Sequence, residues 1–275
     1  MPDSHARTTP DGRFSYAEAG PAAAPALVFL HGIGGAAPAW GRQLARFGGV
    51  WRAIAWDMPG YGASAALEAT TIAGLAEALA AFLDQVAADA PVLVGHSIGG
   101  MIVQQFLADL PGAARAAVLA QTSAAFGRTD GAWQRDFATA RLGPLERGET
   151  MATLAPRLVA ELVGDDPDPD GLTLACACMA AVPEASYRAM IHALMRFDLR
   201  PALPRIAVPT LVLAGARDTN APAAVMERMA GRIPGADYAC LDGCGHLAPL
   251  ERPAEFNAAV ERFLTERVLP RRVGA

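Results

Sequence analysis

Four short apolar runs in the first 120 residues carry almost no polar interruption: ALVFL (26–30), AIAW (53–56), VLVG (92–95) and AAVLA (116–120). A strand with one wet face alternates apolar and polar residues. An unbroken run must be covered on both faces, as a strand inside a parallel sheet is. Between the runs, residues 72–88 and 101–110 place Leu, Val, Phe and Ala at helical spacing. Strand, helix, strand, helix in this order leaves few arrangements. The expected fold is an α/β sheet, mostly parallel, with right-handed crossovers.

From about 126 to 203 the strand signal disappears. Segments 133–142, 150–163, 172–181 and 184–197 read as helices, divided by Gly and Pro punctuation such as DDPDPDG. The alternation resumes with TLVLAG (210–215), a helix over 223–232, a strand near 238–241 and a last helix over 254–267. The predicted organisation is a core made of 1–125 and 204–275. A helical cap, 126–203, is inserted between two strands and covers the carboxyl edge of the sheet.

Composition narrows the chemistry. With 275 residues, 52% of them hydrophobic, and a net charge of −5, disorder is excluded. A chain of this length buries roughly three quarters of its extended surface, enough for one large domain with an insert. All 23 basic residues are Arg, so a P-loop lysine, a pyridoxal Schiff base and a lysine general base are excluded. The arginines are spread along the chain, with no stripe for nucleic acid. No apolar run reaches the ~20 residues of a membrane helix. The first 20 residues have no apolar core, so no secretory signal is read there, and a cytoplasmic setting with reduced thiols is expected. Cys176, Cys178, Cys240 and Cys244 lack the pair spacing of a zinc knuckle. No metal and no cofactor are expected.

The strongest local signal is GHSIGG, 95–100, directly after VLV and before a helix. A Ser in a tight strand-to-helix turn needs small residues two before and two after it, because backbone approaches closely there. That geometry exposes Ser97 as a nucleophile and aims the next N–H at its target. The helix that starts there adds positive potential where negative charge develops.

A nucleophilic Ser needs a base, and the chain has five His. His5 lies in a polar terminus, His31 closes the first strand, and His96 points away from its neighbour's hydroxyl. His192 lies in the helical insert, either as a packed or surface residue or as a substrate contact. His246, in the Gly-rich loop DGCGHLAPLERP after the last strand, is the base by elimination and placement. In GARDTNAP, Asp218 follows the TLVLAG strand by three residues and is the orienting acid, with helix capping as its structural alternative. Asp57, after AIAW, competes but precedes the tight MPGYG turn and reads as a loop pin. HGIGG, 31–35, lets backbone amides face the turn. The oxyanion donors are expected at Ile33 and Ile98.

HGIGG, DMPGYGAS, GHSIGG, GARDTNAP and GCGHLAPLERP occur in the order found in the α/β-hydrolase superfamily, which this chain resembles over nearly all of its length outside the cap. The resemblance implies an eight-stranded, mostly parallel sheet, a helical cap and a Ser-His-Asp triad of Ser97, His246 and Asp218. Ser stands where the dehalogenases and epoxide hydrolases of this fold carry a nucleophilic Asp. Size and cap are similar to enol-lactone hydrolases of aromatic catabolism and to small carboxylesterases, although enol-lactone hydrolases often lack a His at the position of His31. Carbon–carbon bond hydrolases of meta-cleavage pathways are also similar but usually read HGxGPG and GNS.

The expected activity is hydrolysis of a small carboxylic ester or (enol-)lactone through an acyl-enzyme on Ser97, and the partner is that small molecule. The alternatives are a meta-cleavage carbon–carbon hydrolase, a slow-turnover ligand sensor on the same fold, and a perhydrolase side activity. Substrate choice is expected from the cap, which mixes Phe137, Met179, Met190, Met195 and Phe197 with Arg141, Arg157, Arg188 and Arg196. Arg188 and His192 are the candidate substrate contacts.

Overall fold

The computed structural model describes residues 5–126 and 131–269. Four positions of the expected cap, 127–130, lie outside the described residues. The strands are β1 (His5–Thr8), β2 (Ser15–Ala19), β3 (Ala26–Leu30), β4 (Arg52–Trp56), β5 (Val92–His96), β6 (Ala116–Ala120), β7 (Thr210–Gly215) and β8 (Asp237–Leu241). They form one eight-stranded sheet in the order β1-β2-β4-β3-β5-β6-β7-β8. β1 pairs antiparallel with β2, and β2 with β4; every other pairing is parallel. The α/β expectation holds.

The apolar runs behave as their composition demands. β3, β5, β6 and β7 are buried at every position. Successive side chains alternate between two cores: Val28, Leu30, Ile54 and Leu93 enter one, while Leu27, Phe29, Ala53 and Val94 enter the other. Each large side chain fully buried this way contributes about 1.5–3 kcal/mol. β1 and β2, by contrast, carry no apolar run. HART is an edge strand; SYAEA, paired on both sides by β1 and β4, is largely buried but mixes apolar residues with Ser15 and Glu18. Glu18 of β2, buried, meets Arg52 of β4 at 3.1 Å.

Among the described residues ten α-helices follow in chain order: α1 (Gly41–Phe47), α2 (Ile72–Gln85), α3 (Ile98–Asp109), α4 (Ala132–Glu146), α5 (Met151–Ala160), α6 (Pro169–Ala181), α7 (Glu184–Leu194), α8 (Ala223–Ala230), α9 (Ala248–Glu251) and α10 (Pro253–Phe263). Residues of α1 and α10 line one core, and those of α2, α3 and α8 the other. Thr71 caps α2 by accepting from the Gly74 amide at 3.0 Å, and Asp168 caps α6 through Gly171 at 2.7 Å. Helices α4 to α7 lie between β6 and β7, and their apolar faces (Leu142, Leu154, Leu158, Ile191) join the core that α2 and α3 line. Among the described residues, no helix is long and apolar enough to cross a membrane. The four cysteines are free.

Candidate active site

The turn from β5 into α3 is built by close backbone approach. A Cβ on Gly95 would stand 2.5 Å from the Gly99 carbonyl oxygen, and one on Gly99 2.5 Å from that of Leu30. Glycine at these positions lets the first turn of α3 press onto β3 and β5. Ser97 takes the strain, with φ 55° and ψ −122°, a conformation that costs a non-glycine residue about 1–3 kcal/mol. Its amide donates to the Ala120 carbonyl at 2.9 Å, and its carbonyl accepts from the Thr122 hydroxyl at 2.7 Å. The strain is therefore held from β6, and the half-buried Ser97 side chain faces the cavity above the sheet.

Two loops at neighbouring strand ends supply its partners. After β7, Asp218 accepts the amides of Asn220 and Ala221 on Oδ1, at 2.8 and 2.9 Å, leaving Oδ2 to face the Nδ1 of His246 at 2.8 Å. Burial alone would raise the Asp218 carboxyl. The electrostatic pull of the His246 ring and its hydrogen bond, together with the two amides, outweigh it and hold the group below the usual carboxylate range. With Nδ1–H given to Asp218, the Nε2 of His246 presents its lone pair to Ser97 Oγ at 2.9 Å. The structure thus brings Ser97, His246 and Asp218 into one hydrogen-bonded series from loops after β5, β8 and β7.

The other two described histidine rings near this series serve as struts. Met58 N–H donates to Nε2 of His31 at 3.1 Å, so Nδ1 carries the proton and donates to the Gly32 carbonyl at 2.8 Å. Burial pushes the His31 imidazole down, against that bond and the nearby Asp57. His96 donates from Nε2 to the His246 carbonyl at 2.6 Å. Burial first, and His246 next, push it down to about 3, so it stays neutral. Asp57 is a loop pin: it accepts from Ala37 N–H at 2.7 Å and from the Ser15 hydroxyl at 2.8 Å.

The HGIGG loop follows β3 and lies against the turn, where a Cβ on Gly32 would stand 3.2 Å from that of Ser97. Ile98 provides the first amide of α3. The Ile33 carbonyl accepts the Tyr61 hydroxyl at 2.9 Å, which fixes the Ile33–Gly34 peptide unit. The sequence alone does not point to Tyr61: the MPGYG turn shows a tight bend but not the target of its hydroxyl.

Above Ser97 lies a cavity of about 130 Å³, close to the ~150 Å³ of an engineered apolar cavity that accepts benzene. Its upper wall comes from α4 to α7, with Phe137, Leu158, Met179, Tyr187 and Ile191 prominent, and its surface is chiefly apolar. Arg141 also lines it; its guanidinium meets Glu161 at 2.8 Å and lies 5.4 Å from the Phe137 ring centre. Arg188 and His192 do not line this cavity, which corrects the expected substrate contacts. Helix α7 turns Tyr187, Ile191 and Leu194 inward, so positions 188 and 192 fall one step round the helix. Arg188 pairs instead with Glu184 at 2.8 Å, and His192 is exposed. Among the described residues, no three His, Cys, Asp or Glu side chains converge as a metal site.

Comparison with known proteins bears on the family and the fold. The family model described as "Alpha/beta hydrolase family" matches residues 27–259. This chain belongs to the α/β-hydrolase family. It is 28% identical over 261 residues to 3-oxoadipate enol-lactonase 2 of Acinetobacter baylyi, covering 94% of this chain and 95% of that enzyme. It is 30% identical over 248 residues to a pimeloyl-[acyl-carrier protein] methyl ester esterase of Xanthomonas campestris, covering 87% and 95%. The crystal structure of the enol-lactonase from Burkholderia xenovorans LB400 superposes with a TM-score of 0.82 at 25% identity, over 95% of this chain and 100% of that one. It is a hydrolase-fold enzyme related to enol-lactonases and esterases.

Proposed function

We propose that the chain is a serine hydrolase that cleaves a small carboxylic ester or (enol-)lactone through an acyl-enzyme on Ser97. The observation that carries this reading is the series from Asp218 Oδ2 through His246 to Ser97 Oγ, with contacts of 2.8 and 2.9 Å. Nε2 of His246 takes the hydroxyl proton as Oγ attacks the substrate carbonyl. Asp218, with its carboxyl held below the usual range, stays ionised and stabilises the imidazolium that forms. The amides of Ile33 and Ile98 receive the oxyanion, each donor worth about 3–4 kcal/mol in the transition state. His246 then gives its proton to the leaving oxygen and activates the water that releases the acid. No step requires a metal or cofactor.

The chiefly apolar cavity wall favours a substrate whose bulk is hydrocarbon, with the ester or lactone as its polar centre. The names of the enol-lactonase and methyl ester esterase relatives point to the same bond class. Hydrolysis of p-nitrophenyl acetate and butyrate and of a small lactone tests the reading. Wild type is expected to show a burst of one nitrophenol per chain and then steady turnover, both abolished in Ser97→Ala. Persistent turnover in Ser97→Ala, or inactivity of the wild type on every ester and lactone, would overturn it.

A further inference from the structure

Glu251 is buried, 2% exposed, and the proposed mechanism does not use it. Its carboxylate accepts three backbone amides. Oε2 takes Gly245 at 2.9 Å and Gly164 at 2.7 Å, and Oε1 takes Leu247 at 2.6 Å. Gly245 and Leu247 are the two neighbours of His246 in the chain, and Gly164 belongs to the segment that follows α5 in the insert. We propose that Glu251 is a positioning residue that sets the backbone of His246 against Ser97 and fastens the cap to the same loop. This rests on the reading of His246 as the base.

Asp218 orients only the imidazole ring; the ring's place over Ser97 also depends on where the His246 backbone lies. That backbone is held from every side. Its amide donates to the Leu162 carbonyl at 2.6 Å, its carbonyl accepts from His96 at 2.6 Å, and the peptide amides before and after it end on Glu251. Leu162 and Gly164 both lie in the cap segment, so the cap supplies part of the histidine's own support. Glycine makes the approach possible: a Cβ on Gly164 would stand 2.1 Å from the Gly243 carbonyl oxygen, and one on Gly245 2.4 Å from that of Leu162. Asp165 N–H adds a bond to the Gly243 carbonyl at 2.7 Å, and Asp168 N–H one to the Glu251 carbonyl at 3.1 Å.

The acidity of residue 251 matters because two oxygens are needed. An ionised carboxylate accepts on both sides and makes charge-assisted bonds to the amides. A glutamine in its place has one acceptor oxygen, so its NH2 group faces either the Leu247 amide or the Gly164 and Gly245 pair. A buried donor is then left without a partner whichever way the amide is turned. Displacing the base by as little as ~1 Å costs a reaction on the order of 100-fold.

The experiment compares full-length wild type, Glu251→Gln and Glu251→Asp. It reads kcat and KM for p-nitrophenyl butyrate, the rate of fluorophosphonate labelling of Ser97, and the downfield proton resonance of His246 Nδ1–H. In Glu251→Gln, kcat and the labelling rate are expected to fall roughly 10- to 100-fold with KM little changed, and the resonance to shift or broaden. Glu251→Asp keeps a carboxylate and should fall between the two; it decides the matter if the Gln variant does not fold. Folded variants with wild-type labelling rates and an unmoved resonance overturn the proposal, whatever their thermal stability. A wild type that does not label overturns the role given to Ser97 instead, and the resonance alone then decides Glu251.

Discussion

The floor of the cavity and its roof are held by different forces. In the floor, the loops after β3, β5, β7 and β8 meet through backbone hydrogen bonds, buried side chains with named partners, and glycines that admit no Cβ. In the roof, α4 to α7 meet the cavity with Phe137, Leu158, Tyr187, Ile191 and other apolar side chains. Directional bonds fix a geometry to a fraction of an ångström, whereas apolar packing tolerates volume-conserving exchange. On the proposed function, bond-breaking would fall to the floor and substrate selection to the roof. The exception is the segment around Gly164, where the roof is bonded into the floor.

Substitutions should separate the two regions. The largest effect is expected for Asp218→Asn, which leaves the shape intact but favours the wrong histidine tautomer; kcat for an aryl ester should drop by about 10⁴-fold. Gly99→Ala would drive a methyl group into the Leu30 and His31 carbonyls, and chemical denaturation should show a loss of about 1–3 kcal/mol. In the roof, Ile191→Ala should leave the fluorophosphonate labelling rate near wild type while changing the preference between acetate and hexanoate esters by roughly 1–2 kcal/mol. A roof substitution that abolishes labelling while the chain stays folded would break the division.

Acid should weaken the floor through His96. Its imidazole has an ordinary value of 6.5 and is held at about 3 in the folded chain. Below pH 6.5 the unfolded chain takes up a proton that the folded one refuses. The stabilisation is complete above that pH and is lost at about 1.4 kcal/mol per pH unit down to about pH 3. The downward shift of His31 acts in the same direction. Urea midpoints measured from pH 7 to pH 4 should fall with pH, and less steeply in His96→Asn. The smallest effect is expected for Arg188→Ala. Its partly exposed pair with Glu184 should be worth under ~0.5 kcal/mol, and ester turnover should not change.

Legibility in the sequence follows the same line. The runs at β3, β5, β6 and β7 were readable because strands covered on both faces must be apolar throughout, and GHSIGG because a tight turn under strain admits few residues. β1 and β2 are not readable in this way: β1 is a polar edge strand, and β2, though paired on both sides, carries Ser15 and Glu18, whose partners Asp57 and Arg52 lie far away in the chain. Arg188 and His192 were misplaced because helical spacing shows which residues share a face but not which face meets a cavity. Glu251 stood in plain view in GCGHLAPLERP, yet backbone amides have no sequence signature, so its three partners appear only in the structure.

The role of Ser97 is tested most directly by treating the chain with a fluorophosphonate, weighing it intact and mapping the modified peptide. One adduct, on Ser97, that disappears in Ser97→Ala and slows sharply in His246→Ala is the predicted result. An adduct on another residue, or a rate indifferent to His246, would contradict the assignment of nucleophile and base.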